Sequence, residues 1–403
     1  MEEAQGLPLP SHANEPAVGG GFQTDRVLTL VGGHIVHDTF TGFLSPMLPV
    51  LIQKLTLSMT TAGLLMTFLQ GPSLLQPFFG DLADRMNLKW VVICAPALSA
   101  AAMSLLGVAP NYAILALLIT IAGLSAAAFH SVAPVIVGSL SGHNMGRGMG
   151  LWMLGAELGR MIGPLLVVGA IQILTLPRTP WLMTLGFVGS LMLYVRLKDV
   201  PVRPPNANAP KLNWGSSLRE MSPILAPLAA VAIARSFVPA AIVTFVTTYL
   251  REQGASLWFA GVALSVFEGS GAVGALVGGA LSDRLGRREA IGLSMAGGAL
   301  LMLAFLALTG NGLLVVLPLL GFVSLAASPA LMAITQESFP KNRAFANGIL
   351  LALTFTSRSS LALIIGILGD AFGLRTAYLV SAVVTLLFLP AVFRLPKRKT
   401  ANA

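Results

Sequence analysis

Polar residues punctuate this chain at regular intervals. From residue 27 onward, apolar runs follow one another, each ended by a short cluster of charges or of Pro and Gly. A run of about 20 residues is what an α-helix needs to cross the hydrocarbon core of a bilayer. Breaking the chain at its punctuation predicts twelve such helices, near 27–53, 59–80, 90–108, 112–137, 146–174, 180–197, 222–250, 258–281, 290–309, 313–337, 343–369 and 374–395. Membrane-spanning strands would be about ten residues long and would alternate in polarity. These runs are longer and evenly apolar, so the pattern predicts an all-α integral membrane protein.

Composition agrees. Of 403 residues, 55% are hydrophobic and only 10% charged, with a mean hydropathy of +0.81, whereas soluble domains carry roughly 25% charged residues. The single cysteine, Cys94, excludes an intramolecular disulfide and a cysteine-built metal site. The net charge of +9 is not a nucleic-acid signature, because no basic helix or basic patch with interleaved aromatics accompanies it. Its distribution reports topology instead. With the N-terminus assigned to the cytoplasm, eighteen of the 25 Lys and Arg residues fall on cytoplasmic segments and four (Lys54, Arg178, Arg251, Arg375) on the other face. Three more, Arg160, Arg235 and Arg358, lie within spans. That asymmetry predicts both termini inside.

The organisation follows. Residues 1–25 form a flexible cytoplasmic tail without the basic start and short apolar core of a cleaved signal. Residues 26–197 and 220–396 form two six-helix bundles, joined by a polar, Pro-rich cytoplasmic linker at 198–219, and 397–403 is a second cytoplasmic tail.

The two halves repeat. "GDLADRMNLK" (80–89) and "GALSDRLGRR" (279–288) align at a shift of 199 and share Gly80/Gly279, Asp84/Asp283 and Arg85/Arg284. This pattern, after the second span of each half, resembles the signature of the major facilitator superfamily, with Asn87 where a Gly is usual. The resemblance implies twelve helices in two pseudo-symmetric bundles, with spans 3, 6, 9 and 12 outside and the others around a central cavity. It also implies a small-molecule transporter, a monomer, without cofactor or catalytic activity. Here the Gly permits close helix approach, and an Asp at a helix end can meet the positive N-terminus of a neighbour. Gly80, Asp84, Arg85, Gly279, Asp283 and Arg284 are therefore expected to act in gating.

A narrower resemblance lies in "HIVHD" (34–38), "LQP" (75–77), "FH" (129–130) and a fifth span containing "GAELGRMIGP". These look like the fosmidomycin-resistance type of efflux protein, with His37 where that group usually has Asn. The stripe Gly155, Gly159, Gly163 followed by Pro164 is similar to the antiporter signature associated with exporters. Both point to a bacterial inner membrane and to proton-driven export. One feature departs: the fourth span has no Arg, Ile119 standing near its usual place, so that residue's coupling role cannot be transferred.

Ionisable groups in hydrocarbon cost about 2.5–3.5 kcal/mol each on insertion scales, so they should face protein or water. Those deep in spans are His34, His37, Asp38, His130, Glu157, Arg160, Arg235, Glu268 and Arg358, and none falls in the centre of spans 3, 6, 9 or 12. At 100° per residue, positions 34, 37 and 38 share an arc of about 100°, and Glu157 and Arg160 are three apart on one face. Asp38, His34, His37, His130, Glu157 and Glu268 are candidates for proton coupling. Arg160, Arg235 and Arg358 are candidates for contacting an anionic substrate, since guanidinium suits carboxylate or phosphonate; an internal ion-pair network is the competing reading. A partial metal-ligand set from His34, His37 and Asp38 is conceivable, but no metal is assigned to the site.

The function expected is a secondary active transporter, an antiporter exporting a small anionic or amphipathic compound in exchange for protons. Proton-linked uptake of an organic anion is the alternative. No Gly-x-Ser-x-Gly elbow, His-Glu-x-x-His pair or phosphate-binding Gly-Lys-Ser/Thr loop is present, which disfavours an intramembrane enzyme and direct use of ATP.

Overall fold

A computed structural model describes residues 21–200, 214–308, 312–339 and 343–396. Among the described residues there are fifteen α-helices and no strand. The first half contains α1 (Thr24–Thr41), α2 (Leu44–Leu55), α3 (Met59–Gln70), α4 (Gln76–Arg85), α5 (Lys89–Ser104), α6 (Tyr112–Ser141), α7 (Met145–Leu174) and α8 (Met183–Leu197). The second contains α9 (Trp214–Glu252), α10 (Leu257–Leu285), α11 (Arg287–Ala307), α12 (Leu313–Ala326), α13 (Ser328–Ser338), α14 (Arg343–Phe372) and α15 (Leu374–Leu387).

Every predicted span coincides with one helix or with a broken pair. Ten stretches among the described residues are long and apolar enough to cross a membrane. One of them, 63 residues long, holds both α6 and α7, which meet at the turn 142–144. The predicted second span is not among the ten, because Gln70, Pro72 and Gln76 interrupt its apolar run. The count of twelve therefore exceeds what length and apolarity alone return. Helical structure also begins at Trp214, inside the stretch assigned to the linker, and α9 runs on through Pro223, Pro227 and Pro239.

The breaks have local causes. The first span divides at Gly42 and Phe43, and α2 carries Pro46 and Pro49. Pro49 has no N–H for the carbonyl of Ser45. That carbonyl instead accepts a 2.7 Å hydrogen bond from Thr247 Oγ1 of α9, in the other half. The tenth span breaks between α12 and α13 at Ala327, with Pro329 in the first turn of α13.

Spans 3, 6, 9 and 12 present apolar outer faces. On α8, Phe187, Val188 and Leu191 are exposed, as are Leu293 and Leu300 on α11. Faces of this kind suit a lipid environment.

The halves meet mainly through α3 with α14, α7 with α10 and α2 with α9. At the end where α3 begins, the seam is closed by polar ties. The Asp370 carboxylate near the end of α14 accepts hydrogen bonds from Met59 N (2.7 Å), Thr60 N (2.8 Å) and Thr60 Oγ1 (2.5 Å). Orphan N–H groups of one helix are thus satisfied from the other half. Farther along, a Cβ on Gly63 would collide with the backbone of Ala362, and one on Gly366 with that of Met59, so the two backbones lie in contact. At the opposite end the halves part. There α4 barely touches α14, and a Cβ on Gly80, Gly150 or Gly348 would meet nothing within 4 Å.

Each half is also closed on itself at the repeated motif. Lys89 Nζ donates to the carbonyls of Lys198 (2.6 Å) and Val200 (3.1 Å), where α8 ends. Its counterpart in the second copy, Arg288, donates to the carbonyl of Phe393 near the chain end and covers that residue's ring.

Candidate functional site

The ionisable groups of α1 reach the interior because α7 packs flush against that helix. A Cβ on Gly155 would lie 3.3 Å from the His34 Cβ, and one on Gly159 only 2.7 Å from the Asp38 Cβ. A Cβ on Gly163 would lie 2.5 Å from the Thr39 carbonyl oxygen. The stripe at spacing four is therefore the seat of the polar face of α1, and any larger residue would push the two helices apart.

His34, His37 and Asp38 are buried, at 1%, 0% and 2% exposure. His37 Nδ1 lies 2.9 Å from Asp38 Oδ1. His130 Nε2, from α6, lies 3.3 Å from the same oxygen, and His34 Nε2 lies 3.4 Å from Asp38 Oδ2. Arg160 of α7 approaches Asp38 Oδ2 at 3.5 Å, pairs with Glu157 one turn earlier, and reaches Glu268 Oε2 of α10 at 3.6 Å. Three carboxylates thus share one guanidinium. The Arg160–Glu268 contact crosses between the halves.

An aromatic wall surrounds the imidazoles. The His34 ring stacks on Trp152 with centroids 3.7 Å apart, and the His37 ring stacks on Phe129 at 4.4 Å. The Trp152 carbonyl also meets His34 Nδ1 at 2.9 Å. Sequence reasoning did not single out Trp152; its place one turn before Gly155 on α7 is the only signal that would have.

A cavity of about 100 Å³ lies against this network between the halves. Arg160, Glu268, Arg358, Gln70, Thr244 and Ser45 are among its lining residues. Arg358 forms no hydrogen bond or ion pair with the described residues, although it lies close enough to Glu268 to feel its charge. Arg235 lies apart, near the break between α12 and α13. It donates to Ser328 Oγ at 2.7 Å and, at 3.5 Å, to the Ser324 carbonyl, while its buried Nε has no partner.

Of the nine deep groups expected from the sequence, seven converge: His34, His37, Asp38, His130, Glu157, Arg160 and Glu268. Arg358 borders their cavity, and Arg235 does not join them.

The gating residues fare differently. Side chains of Asp84 and Arg85 lie outside the described residues. Gly80 does not permit a close helix approach here, as the sequence reading had it, and neither does Gly279, whose Cβ would find Pro329 at an ordinary 3.6 Å. For Gly80 the reason is the parting of the halves at this end, where α4 and α14 lie apart; Gly279 faces α13 of its own half. In the second copy Asp283 pairs at 3.0 Å with Arg287, which also binds Glu337 of α13 at 2.9 Å. Arg284, the motif residue, is exposed and ties to no described residue. Arg287 and Glu337 were not anticipated.

Comparison with known proteins gives a consistent result. The family model of the Major Facilitator Superfamily matches residues 30–327 and 260–403. The chain is 24% identical over 398 residues to the fosmidomycin resistance protein of Escherichia coli strain K12, covering 95% of this chain and 97% of that one. Among solved structures, it superposes with a TM-score of 0.77 and 16% identity on a bacterial homologue of the human lysosomal transporter Spinster, inward-facing and unoccupied. That match covers 93% of this chain and 98% of the other. A D-xylose–proton symporter matches with a TM-score of 0.74 and 15% identity, covering 95% and 100%.

Proposed function

The chain belongs to the Major Facilitator Superfamily, and from that premise we propose that it is a proton-driven antiporter exporting a small anionic or amphipathic compound by alternating access. The observation that carries this reading is the pairing of opposites at one cavity. On one side stands a carboxylate, Asp38, ringed by three imidazoles; on the other stands an arginine, Arg358, with no counter-ion bonded to it among the described residues. The first can hold a proton; the second attracts an anion.

The coupling proposed runs through Arg160. This guanidinium is shared between Asp38 in its own half and Glu268 in the other. A proton on Asp38 removes one claim on Arg160 and strengthens its hold on Glu268, while loss of the proton draws Arg160 back. Proton occupancy thereby biases how the halves sit against each other, which alternating access requires. An anion at Arg358 competes for the same electrostatic field through Glu268.

Orientation belongs to the proposal too. The skew of Lys and Arg supports both termini in the cytoplasm of a bacterial inner membrane, with the chain working as a monomer. The Asp370 seam is then external, and the parted end opens inward. A relative named for fosmidomycin resistance supports export, since a membrane carrier confers resistance by removing the toxic compound.

Reconstituted vesicles under an imposed pH gradient test the direction. Accumulation of an anionic substrate against outward-moving protons supports antiport. Accumulation with inward-moving protons means uptake and overturns the export reading, and flux indifferent to protons overturns coupling.

A further inference from the structure

The geometry around Asp38 is unusual in one respect. His34 Nδ1 faces the Trp152 carbonyl at 2.9 Å, and a carbonyl only accepts. Nδ1 therefore carries the hydrogen, and in the neutral ring Nε2 is left with a bare lone pair. That lone pair points at Oδ2 of the Asp38 carboxyl group, 3.4 Å away, and Nε2 is buried without a hydrogen-bond partner. Whenever Asp38 is ionised, two acceptors face each other with no hydrogen between them. The distance exceeds the usual 2.7–3.2 Å range of an N–H···O bond.

It matches another geometry. Two ligand atoms about 2.0–2.1 Å from a tetrahedral zinc ion sit about 3.3–3.4 Å apart. His34 Nε2 lies 3.4 Å from Asp38 Oδ2 and His130 Nε2 lies 3.3 Å from Asp38 Oδ1, so each imidazole holds this spacing to its own oxygen of the one carboxylate. One ligand atom from each of His34, Asp38 and His130 lies within 4.8 Å of the others.

We propose that His34, Asp38 and His130 form a binding site for a divalent transition-metal ion of the zinc class. Two imidazole nitrogens and one carboxylate oxygen are a donor set for zinc or cobalt(II), not for calcium or magnesium, which take oxygen ligands. Outer support is in place. The Trp152 carbonyl fixes the His34 tautomer, and His37 Nδ1 donates to the carboxylate of Asp38, as ligand-orienting groups do in metal sites. Charge permits it, since among the described residues Asp38, Glu157 and Glu268 share one bonded Arg or Lys, Arg160. His130, 28% exposed, gives the ion a route in and leaves a fourth position for water. The trio differs from the one on a single helix conceived from sequence, because His37 is committed to holding Asp38. An occupied site would withhold Asp38 from protons and brake transport; that consequence, unlike the site itself, rests on the coupling reading above.

The test reads binding, not flux, so it stands or falls independently of transport. The protein, purified with a tag free of histidine, is titrated with cobalt(II), and the visible absorption of the bound ion is recorded before and after adding zinc. One cobalt per chain, displaced by zinc, is expected. His130→Asn and His34→Gln should each weaken binding at least tenfold, while His143→Asn, at the exposed 142–144 turn, should leave it unchanged. Metal-free melting curves identify any variant that has not folded, and His130→Asp, which keeps a ligand, should retain binding. No absorption at millimolar cobalt, or a signal that survives in folded His34→Gln and His130→Asn, overturns the proposal.

Discussion

Arg160 and Arg358 occupy matching positions in the two halves, 198 residues apart, yet their surroundings are opposite. Arg160 lies within reach of three carboxylates, on its own helix, on α1 and across the seam on α10. Arg358 lines the same cavity and is bonded to none. Duplication copied the scaffold and the position of the cation, and the surroundings then diverged. In the first half α1 supplies an acid and two imidazoles to its arginine; in the second, α9 supplies Arg235 at the position matching His37. A fold built twice can thus set one arginine among acids and leave its counterpart without an ion pair among the described residues.

Removing the acid at the centre of the first half should have the largest effect. Asp38→Asn is expected to abolish accumulation driven by a pH gradient while substrate exchange at equal pH continues. Vesicle flux measured both ways checks this; loss of both activities in a folded variant would place Asp38 in binding instead of coupling.

The arginines themselves sharpen the contrast. Arg160→Gln leaves the buried acids Asp38 and Glu268 without their shared counter-ion; with Arg160 itself partly exposed, the loss falls below the ~3–5 kcal/mol of a fully buried pair, yet its melting temperature should fall clearly. Arg358→Gln breaks no bond with the described residues and should melt like the parent, while anion affinity falls about 10- to 100-fold, equivalent to ~1.4–2.8 kcal/mol. Equal melting losses in both variants would erase the distinction.

Asp370→Asn should act more gently. It keeps the shape but removes the charge that meets the N-terminus of α3, worth ~1 kcal/mol. With Cys94→Ala as background, a cysteine at Thr67, which bonds the Ser359 carbonyl across the seam, should be labelled several-fold faster. An unchanged rate would mean the seam is held by helix packing alone.

What the sequence made legible was periodic and covalent. Apolar run length marked the helices, and the placement of intramembrane charge agreed with the partition between inner and outer spans that the resemblance implied. The convergence of His130, Glu157 and Glu268 on the first span was implicit in that partition. What it hid was relational. Asp370 reads as an ordinary loop-side acid until α3 is seen to begin beneath it, and Trp152 reads as core. The spacing of Gly155, Gly159 and Gly163 announced close packing but not the helix packed against. Asp84 and Arg85 show the limit from the other side: they were the clearest motif residues, and their side chains lie outside the described set.

The second copy of that motif offers the smallest and most discriminating change. Its pattern names Arg284, which is exposed and tied to no described residue. Three positions on, Arg287 joins Asp283 at the end of α10 to Glu337 at the end of α13 and donates to Ser282 Oγ. Asp283 and Glu337 are both open to solvent, so screening limits each pair to ~0–1 kcal/mol. Arg287→Ala should therefore lower stability slightly, and less at high salt, where such pairs are already screened. Arg284→Ala should change neither. Transport separates stability from gating: if Arg284→Ala slows flux in a fully stable protein, Arg284 acts in the other access state, when the parted end closes and brings a partner to it. If neither variant alters flux, the motif in this half serves only to hold α10, α11 and α13 together.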